Sequence, residues 1–488
     1  MFNNLVLLLP ILLPLIAGLA VFWLHNPKTR RIVVSAAVLG TFASAVGVSL
    51  LPQASLRIWD LGGSIAIYLR LDGMSRLFLC LVSGIWTLAA FFAYEYMQHE
   101  GKEERFFGFF TMTLGILMGI GLAGNLLTLY MFYEMMTLIT VPLVIHNGSR
   151  EAVAAGFKYL GYSTFGAGLA LIGFFFLNRY CASTEFSAGG TLDLGLASGN
   201  ENLLFTIWLL MMIGFGCKAG MLPLQAWLPT AHPVAPAPAS AVLSGIITKA
   251  GVLAMIRVTF YLFGANFLRG SWAQTVLLCL SLATVFAGSM LAYKEKVLKK
   301  RLAYSTVSQV SYVLFGLFLL NGVGFTGALL QMVFHALVKN LLFMAAGAVI
   351  YKTGKTDVRE LAGIGKQMPV VIWCFAFGAL SLIGIPPTAG FVSKWYLAQG
   401  GISEYGALGI AGAAILLVSA LLTAGYLLPI VTRGFFPGRD FDYASLEKKE
   451  PSCYMTVPLM ILAALAVLLG IFPGPLTEFI SGVSAALF

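Results

Sequence analysis

Six basic residues and one acid lie deep within long apolar stretches of this sequence: Lys158, Lys218, Lys249, Arg257, Lys339, Lys394 and Glu134. A charge held near the centre of a bilayer costs at least about 2.5–3.5 kcal/mol. Such side chains must snorkel to an interface, pair, or line a hydrated path. Arg257 and Lys158 sit near the ends of their stretches, where snorkelling competes with a functional role. Glu134, Lys249 and Lys339 sit near the midpoints, and Lys218 and Lys394 lie beside proline breaks. The chemistry open to these groups is proton transfer. An amine or carboxyl whose charge is barely tolerated binds or releases a proton when its surroundings move. His335 and Lys339 are four residues apart and share a helix face, so His335 reads either as a packing residue or as a relay. Ser244 and Thr248 precede Lys249, and Ser305, Ser308, Gln309, Ser311 and Tyr312 crowd a later stretch. Hydroxyls alone are weak evidence, because they often bond their own helix. His232, in the link after Pro229, reads either as loop structure outside the core or as a gate near the cytoplasmic side.

The elements that must position these groups are membrane spans. Of 488 residues, 59% are apolar and 10% charged, with a mean hydropathy of +0.89. Soluble proteins hold about 45–50% and 25%. No soluble core hides so much apolar surface, so this is a polytopic membrane protein. Disorder, nucleic-acid binding and a disulfide scaffold are excluded. Stretches near the 20 or so apolar residues that a span needs number fourteen: 5–24, 32–52, 74–97, 106–123, 125–145, 152–178, 203–221, 237–263, 272–293, 300–321, 326–351, 367–397, 406–432 and 454–472. The first lacks a basic leader and a cleavage site, and reads as a retained helix. No alternating ten-residue pattern recurs, so strands are not expected. Pro223 and Pro229 interrupt residues 203–230, and Pro386-Pro387 interrupts 367–397. A proline frees a carbonyl one turn earlier, and paired broken helices mark ion sites in transporters.

Lys and Arg sort by side. If the first stretch runs from outside to inside, the inside links hold 19, from Lys28, Arg30 and Arg31 to Arg433, Arg439, Lys448 and Lys449. The outside links hold 5: Arg57, Arg70, Arg76, Arg179 and Arg269. This predicts both termini on the outer side, and explains the net charge of +10 without nucleic acid. Lys218 and Lys394 are 176 residues apart, and Lys158 and Lys339 are 181 apart. That offset carries five stretches onto five of opposite orientation. The expected fold is an all-α polytopic membrane protein of about 14 transmembrane helices, with an inverted five-helix repeat and two broken helices. Its parts are three N-terminal helices (1–105), a first repeat (106–265), a second, inverted repeat (266–435) and a last helix (436–488). The offset carries Glu134 to Ser311 or Tyr312, so the second half lacks a matching acid. The six cysteines are scattered without metal-ligand spacing, and no haem or dinucleotide signature is readable. No cofactor or metal is expected.

The segment GFGCKAGMLPLQAWLPTAHPVAPAPASAVLSGIITKAG (214–251) resembles the central signature of the antiporter-like subunits of respiratory complex I, membrane-bound hydrogenases and Mrp cation/proton antiporters. YEMMTL around Glu134, FHALVKNLLFMAAG (334–347) and GIPPTAGFVSKW (384–395) resemble further helices of that family. The resemblance covers essentially the whole chain. It implies that Glu134 and Lys218 form a coupled pair, that Lys249 is the central relay, and that His335 and Lys339 bridge to Lys394 as the terminal lysine. It also implies membrane subunits as partners, with any redox cofactor on another subunit and any sodium dependence from a partner. The chain is similar to a mid-arm or Mrp D-type subunit. A stand-alone cation(Na+)/proton exchanger would share all these residues. A membrane-embedded transferase of lipid-linked substrate would need acids or histidines clustered at one interface. The one long outside link, 179–202, offers Glu185, Asp193 and Glu201 without histidine.

Overall fold

A computed structural model describes residues 2–60, 62, 66–438, 441 and 447–488. Arg439, counted among the basic links, lies outside the described residues. Leaving single turns unlabelled, the chain begins with α1 (Leu9–Val21) and α2 (Pro27–Ser49), then β1 (Ala54–Asp60) and β2 (Ala66–Leu71). There follow α3 (Gly73–Glu100), α4 (Glu103–Leu122), α5 (Leu126–Val144), α6 (Arg150–Tyr180), α7 (Glu201–Ala219), α8 (Leu228–Val234) and α9 (Ala237–Phe263). The rest is α10 (Trp272–Lys294), α11 (Leu298–Phe318), α12 (Gly322–Thr353), α13 (Pro369–Ile383), α14 (Ala389–Glu404), α15 (Gly406–Phe435), α16 (Cys453–Ile471) and α17 (Gly474–Ala485). Among the described residues, 11 helices are long and apolar enough to cross a membrane, and Val6–Val21 and α13 are apolar but shorter.

Three sequence expectations need correction. Strands do form: β1 and β2 pair antiparallel, Ala54 opposite Leu71 and Asp60 opposite Ala66. They are 7 and 6 residues long with a register shift at Arg57/Trp59, too short and irregular for a ten-residue alternation to register. The segment 436–488 holds a second helix, α17, whose polar residues Thr477, Glu478, Ser481 and Ser484 hide it from a search for apolar runs. The link after Pro229 is not an exposed loop, since α8 places His232 inside the protein.

Helices start where a side chain can satisfy a free N–H, which lipid cannot do. Asn125 accepts from Thr128 N at 2.8 Å, and Asn321 from Gly324 N at 2.7 Å. α9 is wholly buried and the apolar stretch of α12 is 94% buried, so these two form the centre, whereas α2, α6, α15 and α16 bury only a third. Central helices can carry polar atoms because every face meets protein.

The links gather at two ends. At one, Arg30 pairs with Glu103 at 2.7 Å, His146 Nε2 meets Gly101 O at 3.1 Å, and Lys352 pairs with Glu95 at 3.2 Å. At the other, Arg57 pairs with Glu185 and Arg70 donates to Phe186 O at 2.8 Å. Arg257 does not snorkel. Its guanidinium is 1% exposed and grips both Asp72 oxygens, while Tyr261 stacks on it at 4.6 Å. Breaking a buried pair leaves a lone buried charge, which costs about 3–5 kcal/mol. Arg257→Leu is therefore expected to lower thermal stability far more than the double change with Asp72→Asn. Equal losses in single and double variants, read as unfolding temperatures in detergent, would show that the pair does not couple.

Candidate functional site

Lys218 is the next-to-last residue of α7, which ends because Pro223 cannot continue the helical bonding. Its Nζ is fully buried and donates to Tyr159 Oη at 2.6 Å, lying 4.1 Å from that ring's centre. Tyr159 Oη is 2.7 Å from Thr140 Oγ1, which in turn donates to Met136 O at 2.7 Å. Because each hydroxyl has one proton to give, this donor chain runs from Lys218 towards α5. α5 also carries Glu134. Glu134 is half-buried, next to the exposed Met135 and one turn from the exposed Leu138, so it lies at the edge of an outward face. Its Oε1 has no hydrogen-bond partner among the described residues. Glu134 and Lys218 are in coulombic range but make no direct ion pair.

Lys249 follows a π-helical turn, Leu243–Ile247, inside α9. Such a turn displaces carbonyls from the regular ladder, and it recurs at functional sites. Here Ser244 O accepts from Thr248 Oγ1 at 2.7 Å and from Lys249 Nζ at 3.0 Å. The same Nζ is 2.6 Å from His335 Nδ1 on α12. α9 approaches α7 closely because residue 251 is glycine: a Cβ there would lie 2.8 Å from Phe215 O and 3.0 Å from Lys218 Cβ.

His335 is 2% exposed, and its Nε2 has no partner among the described residues. It lines a small space of about 10 Å³ with Gln309, Gln331, Ser381 and Leu382. That is about the room one water needs. Gln331 Nε2 donates to Gln309 Oε1 at 2.9 Å, and Ser393 Oγ donates to Gln331 Oε1 at 2.6 Å. Ser393 neighbours Lys394 on α14. Lys394 Nζ donates to Leu382 O at 2.5 Å and Ile383 O at 2.7 Å. Those are the two carbonyls whose helical partners would be residues 386 and 387, both prolines without an N–H. The Pro-Pro break thus creates the acceptors that hold the ammonium. Lys339, fully buried, turns the other way, to Leu302 O at 2.9 Å and to Ser305 Oγ on α11.

Lys158 is half-buried and donates to Thr230 Oγ1 at 2.9 Å beside an open groove of about 440 Å³. His232 is fully buried, with neither ring nitrogen bonded among the described residues, and packs on Phe343 at 4.8 Å. Lys339 Nζ lies 5.9 Å from the same ring. No hydrogen-bonded chain among the described residues joins Lys218 to Lys249.

Sequence reasoning misses several members of this network. Gln331 is one turn before His335 and extends the His335/Lys339 face, so helical spacing is a usable signal for it. Glu95 lies near the end of the 74–97 stretch, and the signal available was an acid inside an apolar run. It is 8% exposed and accepts from Ser452 N at 3.0 Å as well as pairing with Lys352. Tyr159 carries no signal, since an aromatic in a span usually packs. The chemistry available is handing protons between lysine, imidazole, amide and hydroxyl groups away from lipid.

Residues 123–423, which include all of these groups but Glu95 and its partner Ser452, match the family model described as NADH:quinone oxidoreductase/Mrp antiporter, TM. Residues 60–107 match NADH-Ubiquinone oxidoreductase (complex I), chain 5 N-terminus. NADH-quinone oxidoreductase subunit N of Desulforudis audaxviator is 32% identical over 96% of this chain and 95% of its own. The D-type component of the Na(+)/H(+) antiporter of Alkalihalophilus pseudofirmus is 28% identical over 98% of this chain and 96% of its own. In fold, the chain is similar to one in the Mrp complex from Dietzia sp., with a TM-score of 0.87 at 24% identity, covering 100% of this chain and 98% of that one. Sequence, helix order and matched span agree, and the chain belongs to the NADH:quinone oxidoreductase/Mrp antiporter family of antiporter-like membrane subunits.

Proposed function

We propose that this antiporter-like subunit moves protons through Lys218, Lys249, His335, Lys339 and Lys394, with Glu134 as electrostatic control and Lys158 and His232 at the inner approaches. The observation that carries the reading is the file of buried amines. Lys218, Lys249, Lys339 and Lys394 all bond neutral atoms, and none belongs to an ion pair among the described residues. An ammonium buried without a carboxylate is costly, and an amine that can shed and regain that charge is what a relay needs. Sodium wants a cage of oxygens and is repelled by ammonium, so the path is for protons.

The architecture we infer has fourteen crossings: the 11 long apolar helices, Val6–Val21, α11, and the broken α13/α14 taken as one. The inverted repeat of 106–265 on 266–435 is supported by the lysines beside the two breaks, at the end of α7 and within α14. Both termini on the outer side fits the position of the chain ends. The first turn packs by the hairpin, and Phe488 packs on Phe260 at 5.4 Å. The inside end then holds the basic links, and the protein resides in the cytoplasmic membrane of a prokaryote. Its partners are other membrane subunits, as in the complexes of its relatives.

Moving one charge against 100 mV takes about 2.3 kcal/mol, and no nucleotide or redox signature is readable in this sequence to supply it. The isolated chain in liposomes under an imposed pH or sodium gradient is expected to show no flux, with flux returning when partner subunits are added. Robust sodium/proton exchange by the chain alone, lost in Lys249→Ala, would replace this reading with the stand-alone exchanger.

A further inference from the structure

A cavity of about 720 Å³ opens at the hairpin end between β2, α3 and α17, and none of the buried lysines lines it. Its polar wall holds Arg70, Arg76, Gln53 and the exposed Glu478, along with Asp72, which Arg257 already engages. A second cleft, about 420 Å³, runs between α3, α12 and α16 and is lined by Leu77, Cys80, Leu81, Leu337, Leu465 and Leu469. Arg76 and Phe479 line both spaces, so a charged chamber joins an apolar slot at those two residues. A further apolar groove of about 480 Å³ continues the α3/α16 seam past Leu88, Phe91, Val457 and Ile461.

Arg76 stands at the joint. Its Nη2 donates to Leu51 O at 2.9 Å and Pro52 O at 2.8 Å, which fixes the guanidinium. Its Nε is buried without a hydrogen-bond partner, and it belongs to no ion pair among the described residues. Arg70 donates to Phe186 O at 2.8 Å, a neutral acceptor. The chamber thus offers two guanidinium groups outside any ion pair among the described residues, against one carboxylate not already engaged, Glu478, and guanidinium is the side chain suited to phosphate. A free phosphate accounts for the chamber but not for the slot. An acyl chain accounts for the slot, whose position on the first two turns of α3 is that of the headgroup boundary and the hydrocarbon just beneath it.

We propose that the joined cleft binds an anionic glycerophospholipid, its phosphate against Arg76 and one acyl chain along the α3/α16 seam. The test uses the assembled complex purified in mild detergent, with bound lipid quantified by mass spectrometry and thermal stability followed as phosphatidylglycerol is added. Wild type is expected to retain phosphatidylglycerol and to gain stability from it. Arg76→Gln is expected to retain roughly tenfold less, as for loss of one charge-assisted contact. Cys80→Phe, which fills the slot and leaves Arg76 in place, is expected to lose the lipid as well. Inorganic phosphate stabilising wild type and Cys80→Phe alike, with no lipid retained, would overturn the proposal in favour of a plain anion site. A cross-link from Cys80 to another subunit through a short bis-maleimide would overturn it in favour of a protein occupant.

Discussion

Lys249→Met is expected to leave the complex assembled and to reduce proton translocation by about a hundredfold or more, equivalent to some 2.7 kcal/mol. Methionine fills the same space without a charge or a donor, so α9 keeps its packing. What disappears is the group that joins Ser244 O at 3.0 Å to His335 Nδ1 at 2.6 Å. Among the described residues no hydroxyl chain offers a detour from the α7 side to the α12 side, since Lys339 points instead to Leu302 and Ser305 on α11. His335→Ala should act nearly as strongly, because the imidazole is the only described partner of Lys249 on α12. Lys339→Met should cost less, because its Nζ bonds Leu302 O and Ser305 Oγ on α11 and leaves the Lys249–His335 contact in place. The measurement is dye-reported acidification in proteoliposomes with the whole complex. Wild-type rates in assembled Lys249→Met would remove Lys249 from the path.

The second large effect is expected at Glu134 and Lys218. Each of Glu134→Gln and Lys218→Ala should abolish coupled transport while assembly persists. Two opposite charges about 4 Å apart attract by about 4 kcal/mol at an effective dielectric of 20, which is near three pKa units. In this structure the pair is open: Lys218 rests on Tyr159 Oη and Glu134 Oε1 has no partner among the described residues. Closing the pair would hold the proton on Lys218, and opening it would favour release towards the centre. Glu134 lies beside exposed Met135 and Leu138, so a neighbouring subunit is well placed to move it. Tyr159→Phe separates the parts: it removes the resting acceptor and leaves both charges, so transport should slow without stopping. Full pumping in an assembled Glu134→Gln complex would end the case for an electrostatic switch.

The sequence by itself determined the class of the protein and singled out the residues proposed here to carry its chemistry. Composition excluded a soluble fold, and the energetic cost of charge in lipid made Lys218, Lys249, Lys339 and Lys394 conspicuous without any coordinates. The Pro386-Pro387 break is legible because proline's missing N–H is a local property. Which carbonyls it frees, and that Lys394 caps those of Leu382 and Ile383, depends on how α14 folds back on α13. The pairing of Lys249 with His335 joins residues 86 apart, and only the packing of α9 on α12 brings them together. The burial of His232 follows from α8 lying inside the bundle, which its Pro-rich sequence does not announce. Gln331, Ser393 and Tyr159 are ordinary residues that the fold alone brings into hydrogen bonds with this network. Arg257 has the sequence position of a snorkelling side chain, and only the fold brings Asp72 to it across the bundle. Insertion energy is additive along a chain, so sequence reveals it. Proton transfer depends on donor–acceptor distances held to within a few tenths of an ångström between helices distant in sequence, so tertiary packing decides it.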